Sequence, residues 1–197
     1  MPRAGLSTLR VVQEAEAVAD EVGLTHVTLA AVAARLGVKL PSLYKHIGGM
    51  DALRRLVAIR ATVELGEVLG RGAVGKSGTA ALEAMFTACR SWAATHPGRY
   101  EATVQAPPPG DAEHVAAGAA VVAVVVDVLA GYNLDGDDAV DAVRALRAAL
   151  HGFIALEASG GFGMPVDIDR SFDRLIAALA DALTSWGSTG EGQVSTQ

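Results

Sequence analysis

The chain has 197 residues, of which 51% are hydrophobic and 19% charged, and its net charge is −6. This composition excludes an intrinsically disordered chain and suits either one ordinary core or a small domain joined to a larger one. The single cysteine excludes an intrachain disulfide. The longest uncharged apolar run, 115–126, is too short for a helix to cross about 30 Å of hydrocarbon. We therefore expect a soluble, cytoplasmic protein with no membrane partner.

The charge is distributed unevenly along the chain. Residues 1–60 contain eight Lys or Arg and five Asp or Glu, whereas the remainder contains eight basic and seventeen acidic residues. A basic N-terminal part on an acidic body is weak support for a polyanionic partner.

The first sixty residues have the pattern of four helices. Apolar residues recur along one face of the first helix until Gly23 ends it. Thr28 is suited to cap a short second helix, which Gly37 ends. Three residues separate Gly37 from Pro41, which suits the first turn of a third helix that is expected to continue until 48–49. Asp51 can cap a fourth.

Further helices follow a glycine-rich segment at 66–78, whose glycine spacing resembles a dinucleotide-binding turn. No strand precedes this segment, so we expect a loop between helices instead. A long amphipathic helix then runs from Gly78 until Pro97 stops it. The helix at 112–130 is apolar nearly all round and is expected to be buried, although 121–126 alone could form a strand.

The remaining pattern completes an all-α prediction. Apolar residues recur at helical spacing along 135–157 and again from Asp169, and from Gly187 the chain is polar and expected to be disordered. The prediction is therefore about nine helices. A small helix-turn-helix domain at 1–60 precedes a larger helical ligand-binding and dimerisation domain at 61–187, and 188–197 forms a tail.

The second and third helices have helix-turn-helix geometry, because only three residues join them and a glycine ends the first. Such a third helix can enter the major groove of DNA. Lys39 and Lys45 can then bind phosphates, and Ser42 can bind a phosphate or a base edge. Tyr44 can donate its hydroxyl to a phosphate, and His46 could do likewise. The spacing alone also fits an ordinary helical hairpin.

The residues of this hairpin also resemble those of a known protein family. The segment Val27-Thr28-Leu29-Ala30-Ala31-Val32-Ala33-Ala34-Arg35-Leu36-Gly37-Val38-Lys39-Leu40-Pro41-Ser42-Leu43-Tyr44-Lys45-His46-Ile47 closely resembles the N-terminal domain of the tetracycline-repressor (TetR) family. The resemblance begins near Leu9 and continues to Leu53. It implies DNA contacts by Thr28, Lys39, Ser42, Tyr44, Lys45 and His46. Family members commonly have a phosphate-binding Lys where Met50 stands here.

A second resemblance covers most of 80–182. Leu150-His151-Gly152-Phe153, Glu157, Gly160-Gly161-Phe162-Gly163, Asp169 and Phe172-Asp173 look like the WHG-type regulatory domain of some TetR-like proteins, with Leu150 in place of the Trp. This resemblance implies a ligand cavity among the middle helices and a homodimer made by the last two. The apolar stripes of those two helices predict the dimer interface residues Leu146, Leu150, Phe153, Ile154, Phe172, Leu175, Ile176, Leu179 and Leu183.

Candidate ligand-binding residues lie on the helix that starts at Gly78 and just after it. An apolar cavity with a few polar groups could be lined by Met85, Phe86, Cys89, Trp92, His96 and Tyr100. For Met85 and Phe86, as for Leu82, plain core is the favoured alternative, whereas Trp92 and His96 favour the cavity. His151 and Glu157 lie six residues apart, a poor spacing for a metal site. We expect no metal, no cofactor and no catalytic residues.

These observations predict a transcriptional regulator and not an enzyme. The expected function is sequence-specific binding to a pseudo-palindromic operator in double-stranded DNA. We expect a homodimeric repressor whose affinity for DNA is modulated by a small, mostly apolar effector. The alternative is a helical small-molecule binding or protein-interaction module without DNA specificity.

Overall fold

The computed structural model describes the backbone of residues 6–190 and the side chains as far as Trp186. Within these residues the chain has nine α-helices and no strand, which confirms the all-α prediction. Two short 3₁₀ turns, Leu24–His26 and Ala130–Tyr132, join them. The helices are α1 (Thr8–Val22), α2 (Leu29–Leu36), α3 (Leu40–Leu43), α4 (Met50–Ala73), α5 (Gly78–Thr95), α6 (Pro97–Ala102), α7 (Ala112–Leu129), α8 (Gly136–Ala158) and α9 (Ile168–Gly190).

The chain divides into two compact units. Unit 1 contains the residues up to Leu65 together with Trp92–Gly118, and unit 2 contains Gly66–Ser91 together with the residues from Ala119 onward. The predicted helix-turn-helix therefore shares its unit with α6 and the start of α7.

Unit 1 is built around a close contact between α1 and α6. The apolar face of α1 is buried, and Val11, Ala15 and Ala19 are 0% exposed. Gly98 in α6 lies directly against α1, because a Cβ added there would lie 2.1 Å from the backbone carbonyl carbon of Ala19. Only glycine permits this approach, and the approach brings the polar groups of the two helices together.

Arg99 follows that glycine and joins α6 to both α1 and α4. Its Nε donates to Asp20 Oδ2 at 2.7 Å, and its Nη1 donates to Glu64 Oε2 at 2.9 Å. Glu64 Oε1 also accepts from the Trp92 indole at 3.1 Å. Burial opposes the charge of Glu64, but the bonds from Trp92 and Arg99 outweigh it and lower the pKa of this carboxyl.

A second ion pair in unit 1 joins α4 to the residue before α7. Arg55 Nε donates to Asp111 Oδ2 at 2.5 Å, and Arg55 Nη2 donates to Asp111 Oδ1 at 2.6 Å. Glu113 accepts a third bond from the same guanidinium at 3.0 Å. The bonds from Arg55 lower the pKa of Asp111 to about 2.

Unit 2 contains a cation that joins three helices. The Arg90 guanidinium of α5 pairs with Glu157 of α8 and, at 2.8 Å, with Asp169 of α9. It also lies 4.7 Å from the ring centre of Phe172 and 5.5 Å from that of Phe153. These two rings are 4.9 Å apart, so charge pairing and aromatic packing coincide at one point.

The prediction of a loop at 66–78 is wrong over most of its length, because α4 continues as a helix to Ala73. The glycines in this part of α4 lie at close contacts within unit 2. A Cβ on Gly66 would lie 3.4 Å from a methyl group of Val121, and one on Gly72 would lie 3.0 Å from the carbonyl oxygen of Ala84. These glycines allow close packing of helices, and the sequence pattern does not distinguish this role from a flexible loop.

The prediction that the apolar helix at 112–130 is buried is also wrong. In α7, Val115 is 51% exposed, Val122 45% and Val126 38%. By length and composition alone, the stretch Ala112–Tyr132 is long and apolar enough to span a membrane. Only 22% of its apolar 18-residue segment is buried within the chain. The length of the uncharged run is therefore not a sufficient reason to exclude a membrane segment. A single helix of this kind also occurs in proteins that never enter a membrane.

Several helix ends differ from those expected. The α-helical part of α3 ends at Leu43, and turns follow it through His46. Pro97 follows the end of α5 but also starts α6, because proline is favoured in the first helical turn. The helix α9 continues to Gly190, beyond the predicted start of the tail, and residues 191–197 lie outside the described residues.

We expect Gly98→Ala to destabilise the protein, because neither the added methyl group nor the α1 backbone can move away easily. Overpacking of this kind costs about 2 kcal/mol, which corresponds to a Tm lower by about 5 °C. Gly118→Ala is the matched control, since its Cβ would meet only Pro107 Cγ at 3.9 Å. That change should keep or raise the Tm, because alanine is the better helix former. Equal Tm values for the two variants would contradict the close contact.

We also expect the Asp111 carboxyl to titrate at about pH 2, below its ordinary value of 3.8. A pKa that is lowered in the folded state means that the pair with Arg55 contributes its full stability above about pH 4 and loses it as the pH falls towards 2. Carboxyl-detected NMR titration of the wild type and of Arg55→Gln measures this directly. The Arg55→Gln variant should return the pKa of Asp111 towards 3.8, and an unchanged titration would refute the pairing.

Candidate functional site

The helix-turn-helix is defined by two local hydrogen-bonded caps. The Ala31 N–H donates to Thr28 Oγ1 at 3.1 Å, which caps the start of α2 as predicted. At the other end Gly37 has a left-handed φ of 66°, and the Val38 N–H donates to the Ala33 carbonyl at 3.0 Å. These bonds satisfy the last carbonyls of α2 and turn the chain sharply into α3.

The segment 39–47, which we call the recognition segment, is held in place by two buried side chains. Leu43 is 0% exposed and Ile47 is 3% exposed. The Ile47 N–H donates to the Leu43 carbonyl at 2.9 Å, so a helical hydrogen bond continues beyond the assigned end of α3. Thr8 of α1 donates its hydroxyl to the His46 carbonyl at 3.1 Å and fastens the far end. The segment therefore has a buried, anchored side.

The six predicted DNA-binding residues lie in unit 1. Five belong to the recognition segment, and Thr28 is the cap of α2, which packs on α3. Tyr44 is 58% exposed despite its aromatic ring. Exposure is also high at Thr28, Lys39 and Lys45, whereas Ser42 and His46 are partly buried. The polar side chains of the segment are thus available to a partner.

Ion pairing divides the cations of unit 1 into two groups. Among the described residues, one group has carboxylate partners and consists of Arg35, Arg55, Arg60 and Arg99. The other group has no ion pair in the described structure and consists of Arg10, Lys39, Lys45 and Arg54. Two of the unpaired cations belong to the recognition segment, where a polyanion would supply the missing partner. Sequence reasoning missed Arg10 and Arg54, because only tertiary contacts distinguish a paired arginine from a free one.

Met50 is the first residue of α4 and supplies no charge where TetR-family members commonly have a lysine. This departure from the family pattern remains, and one backbone contact expected from the resemblance has no cation here.

The structure does not bring the six predicted ligand-binding residues into one unit. Met85, Phe86 and Cys89 belong to unit 2 and are between 1% and 3% exposed. Burial raises the pKa of the Cys89 thiol to about 12, so this cysteine stays protonated at neutral pH.

Trp92, His96 and Tyr100 form an aromatic cluster in unit 1. The Trp92 ring centre is 5.7 Å from that of His96 and 6.3 Å from that of Tyr100. Polar groups of this cluster are already engaged. The Trp92 indole donates to Glu64, and His96 Nδ1 accepts from Arg99 Nη2 at 2.5 Å. A ligand at this cluster would have to compete with an existing hydrogen-bond network.

The predicted dimer residues are mostly core residues of a single chain. Exposure is between 2% and 8% for Leu146, Leu150, Phe153, Ile154, Phe172, Ile176 and Leu183. Only Leu175 and Leu179 are partly exposed. Other apolar side chains lie on the outer faces of α8 and α9, among them Leu156 at 50% and Trp186 at 41% exposure.

His151 and Glu157, whose spacing is poor for a metal site, both belong to α8. Glu157 pairs with Arg90, which occupies both of its oxygens, and His151 is partly buried in α8. The sequence offered no signal for Arg90, since its two carboxylate partners, Glu157 and Asp169, lie far away along the chain.

The chain is similar in sequence and in fold to known proteins. Residues 82–179 match the family model described as the tetracyclin repressor-like, C-terminal domain. An uncharacterized HTH-type transcriptional regulator of Mycobacterium tuberculosis, Rv0681, is 37% identical over 190 residues, which cover 94% of this chain and 87% of that protein. YobS of Bacillus subtilis, also an uncharacterized HTH-type transcriptional regulator, is 32% identical over 184 residues, which cover 92% of this chain and 95% of that protein.

The fold is also that of solved structures. Apo ActR from Streptomyces coelicolor superposes with a TM-score of 0.73 at 19% identity, over 95% of this chain and 99% of that one. ActR, a TetR family protein, has also been solved in complex with (S)-DNPA and with actinorhodin. From the two relatives above 30% identity and the matching C-terminal domain, this chain belongs to the TetR family of helix-turn-helix transcriptional regulators.

Proposed function

We propose that this regulator is a repressor that binds a pseudo-palindromic DNA duplex as a homodimer. The observation that supports this best is the recognition segment. Its buried side is fixed by Leu43 and Ile47, and its outer side has exposed Lys39, Tyr44 and Lys45. A rigid support with exposed cations that lack carboxylate partners is what groove binding requires.

The roles of the six residues follow from their chemistry. Lys39 and Lys45 bind phosphates as point charges, and the Tyr44 hydroxyl donates to a phosphate oxygen. Ser42, on the same helical turn, is small enough to allow close approach and bonds a base edge. The two side chains at the ends of the motif, Thr28 and His46, form hydrogen bonds to the DNA backbone on either side of the recognition segment.

A homodimer is proposed because one recognition segment contacts only a few base pairs. Two copies related by a two-fold axis read two related half-sites, which raises both affinity and specificity. The proposed interface uses the outer faces of α8 and α9, with the partly exposed Leu175 and Leu179 and the exposed Leu156. The buried members of the predicted set then support this interface from within each subunit.

We further propose that a small, mostly apolar effector modulates DNA affinity in the cytoplasm. The complexes of ActR with (S)-DNPA and actinorhodin support this for the fold, not for any particular ligand of this chain. The set Met85, Phe86, Cys89, Trp92, His96 and Tyr100 stays a prediction. The bonds that Glu64 and Arg99 make to this cluster oppose a ligand there, because breaking a buried pair leaves an uncompensated charge.

Selection from a random-sequence duplex library tests DNA binding. We expect the purified protein to enrich duplexes with two inverted half-sites about one helical turn or more apart. A helical module without DNA specificity would retain all duplexes equally at moderate salt, and this result would rule out the repressor.

Lys45→Gln tests the phosphate contacts with the selected duplex. We expect weaker binding, and a slope of log affinity against log salt that is smaller by about 1. Lys76→Gln in unit 2 removes an exposed lysine outside the recognition segment and should change neither quantity. Ser42→Ala should change the preferred bases with little effect on the salt slope. If Lys45→Gln and Lys76→Gln behave alike, the recognition segment is not the DNA-binding surface.

Leu156→Glu tests the dimer interface. Because Leu156 is 50% exposed in the single chain, the charge should not disturb the subunit fold, yet it would be buried unpaired at the proposed interface. We expect a dimer for the wild type and a monomer with unchanged circular dichroism for Leu156→Glu, measured by light scattering at micromolar concentration. Thr87→Glu adds the same charge on the exposed side of α5 and should remain dimeric. A monomeric wild type would contradict the proposal.

A further inference from the structure

A cavity of about 670 Å³ lies within unit 1. Its walls come from the 3₁₀ turn after α1, the first half of α4, the end of α6 with the chain that follows it, and the first turn of α7. Ligand sites for small molecules commonly measure about 300–1,000 Å³, and this cavity falls within that range. None of the six ligand-binding residues predicted from sequence lines it.

His114 in the wall of this cavity has an unsatisfied nitrogen. The residue is 6% exposed, and its Nδ1 is the one buried side-chain nitrogen or oxygen among the described residues that has no hydrogen-bond partner. Folded proteins rarely leave such a group without a partner, so an unpaired buried imidazole nitrogen beside a cavity indicates a missing one. A hydroxyl group of a ligand can either donate to this nitrogen or accept from it.

The charged groups of the wall leave one cation unpaired. Arg55 is occupied by Asp111 and Glu113, and Glu101 accepts the Leu24 N–H at 3.1 Å. Arg54 lines the same cavity and has no ion pair in the described part of the chain. Its exposed guanidinium can close over a carboxylate with two parallel hydrogen bonds.

The remaining surface of the cavity is mostly apolar. Leu24, Ala52, Ala58, Ala102 and Pro108 contribute hydrocarbon to it. Small side chains such as these leave room for a flat, rigid ligand body. Asp51 also lines the cavity, but it lies in the first turn of α4, where the helix dipole stabilises a negative charge.

We propose that this cavity is the effector site, and that it takes a small, mostly apolar acid with a hydroxyl group. The carboxylate pairs with Arg54, and the hydroxyl bonds His114 Nδ1. This inference deepens the proposed function, since it depends on effector control and gives that control a location in unit 1 and a ligand chemistry.

The walls of the cavity also provide a route to the DNA-binding residues. Leu24 and Thr25 lie in the turn that leads to the α2 cap, Thr28. The end of α6 also lines the cavity, and the position of α6 against α1 is fixed by Gly98, which lies against the α1 backbone, and by Arg99, which is bound to Asp20. A ligand that fills the cavity therefore acts on the turn and on its bond to Glu101. Occupancy shifts the start of α2 and so changes DNA affinity.

Calorimetry on the full chain with 6-hydroxy-2-naphthoate as the probe tests the site without DNA. Two comparison probes each lack one group, 2-naphthoate the hydroxyl and 2-naphthol the carboxylate. We expect the complete probe to bind at least fivefold more tightly than either. Arg54→Gln should weaken the binding of the two carboxylates and leave 2-naphthol unchanged. His114→Phe should weaken the binding of the two hydroxyl-bearing probes and leave 2-naphthoate unchanged.

Control variants separate ligand binding from folding. His114→Phe removes the unsatisfied nitrogen but adds a larger ring, so its Tm is measured as well, and unchanged binding of 2-naphthoate shows that the cavity is intact. Ala58→Leu fills part of the cavity and should weaken all three probes. Arg71→Gln removes an exposed arginine of unit 2 and should change none of them. The proposal is overturned if no probe binds saturably at millimolar concentration, or if the affinities in Arg54→Gln, His114→Phe and Ala58→Leu equal those of the wild type.

A second measurement tests the link to DNA. With a duplex obtained by library selection, the complete probe should change DNA affinity at least tenfold in the wild type and leave it unchanged in Ala58→Leu. Saturable probe binding without any change in DNA affinity would overturn the regulatory role while the DNA-binding function stands. If no duplex is selected, the proposed function fails, and calorimetry still decides whether the cavity binds the probe.

Discussion

The Arg99 guanidinium, held between the carboxylates of Asp20 and Glu64, is the interaction on which unit 1 depends. Burial alone would disfavour this charge, but the two carboxylates raise the pKa of Arg99 above its ordinary value. Gly98 makes the pairing possible, because its lack of a Cβ lets α6 approach the α1 backbone. The helix α1, on which α2 packs, is therefore fastened to a residue that lies 79 positions later in the chain. Losing either the glycine or the arginine would leave polar groups of α1 and α4 buried without partners.

Ion pairing also divides the cations of unit 1 into two groups among the described residues. Arg35, Arg55, Arg60 and Arg99 each have carboxylates within the chain, so their charges are used for folding. The cations of the recognition segment have no such partners, and its apolar side chains hold it in place. The cations that pair within the chain and those of the recognition segment are thus different residues of one small unit. Tyr44 is 58% exposed in this arrangement, although its side chain is aromatic.

The hydrogen bonds of the polar groups also distinguish the two candidate ligand sites, which are the cluster of Trp92 and His96 and the cavity of unit 1. At the cluster of Trp92 and His96, the indole and imidazole nitrogens already bond Glu64 and Arg99. At the cavity, His114 Nδ1 has no partner. An aromatic cluster near a Pro-Gly pair is visible in the sequence, whereas the unsatisfied histidine is not. His114 precedes an apolar run and has no feature in the sequence that separates it from a solvent-exposed residue.

The sequence by itself determined the local features of this protein. The Thr28 cap, the Gly37 turn and the spacing of Leu43 and Ile47 each depend on residues within a few positions of one another, and the structure has all of them. Only the tertiary structure decided which faces are covered. It buried the stripe predicted for the dimer, left the apolar α7 largely exposed, placed glycines inside α4 and divided the predicted ligand residues between two units. The physical reason is that periodicity identifies an apolar face, whereas burial and charge pairing depend on which distant residue packs against that face.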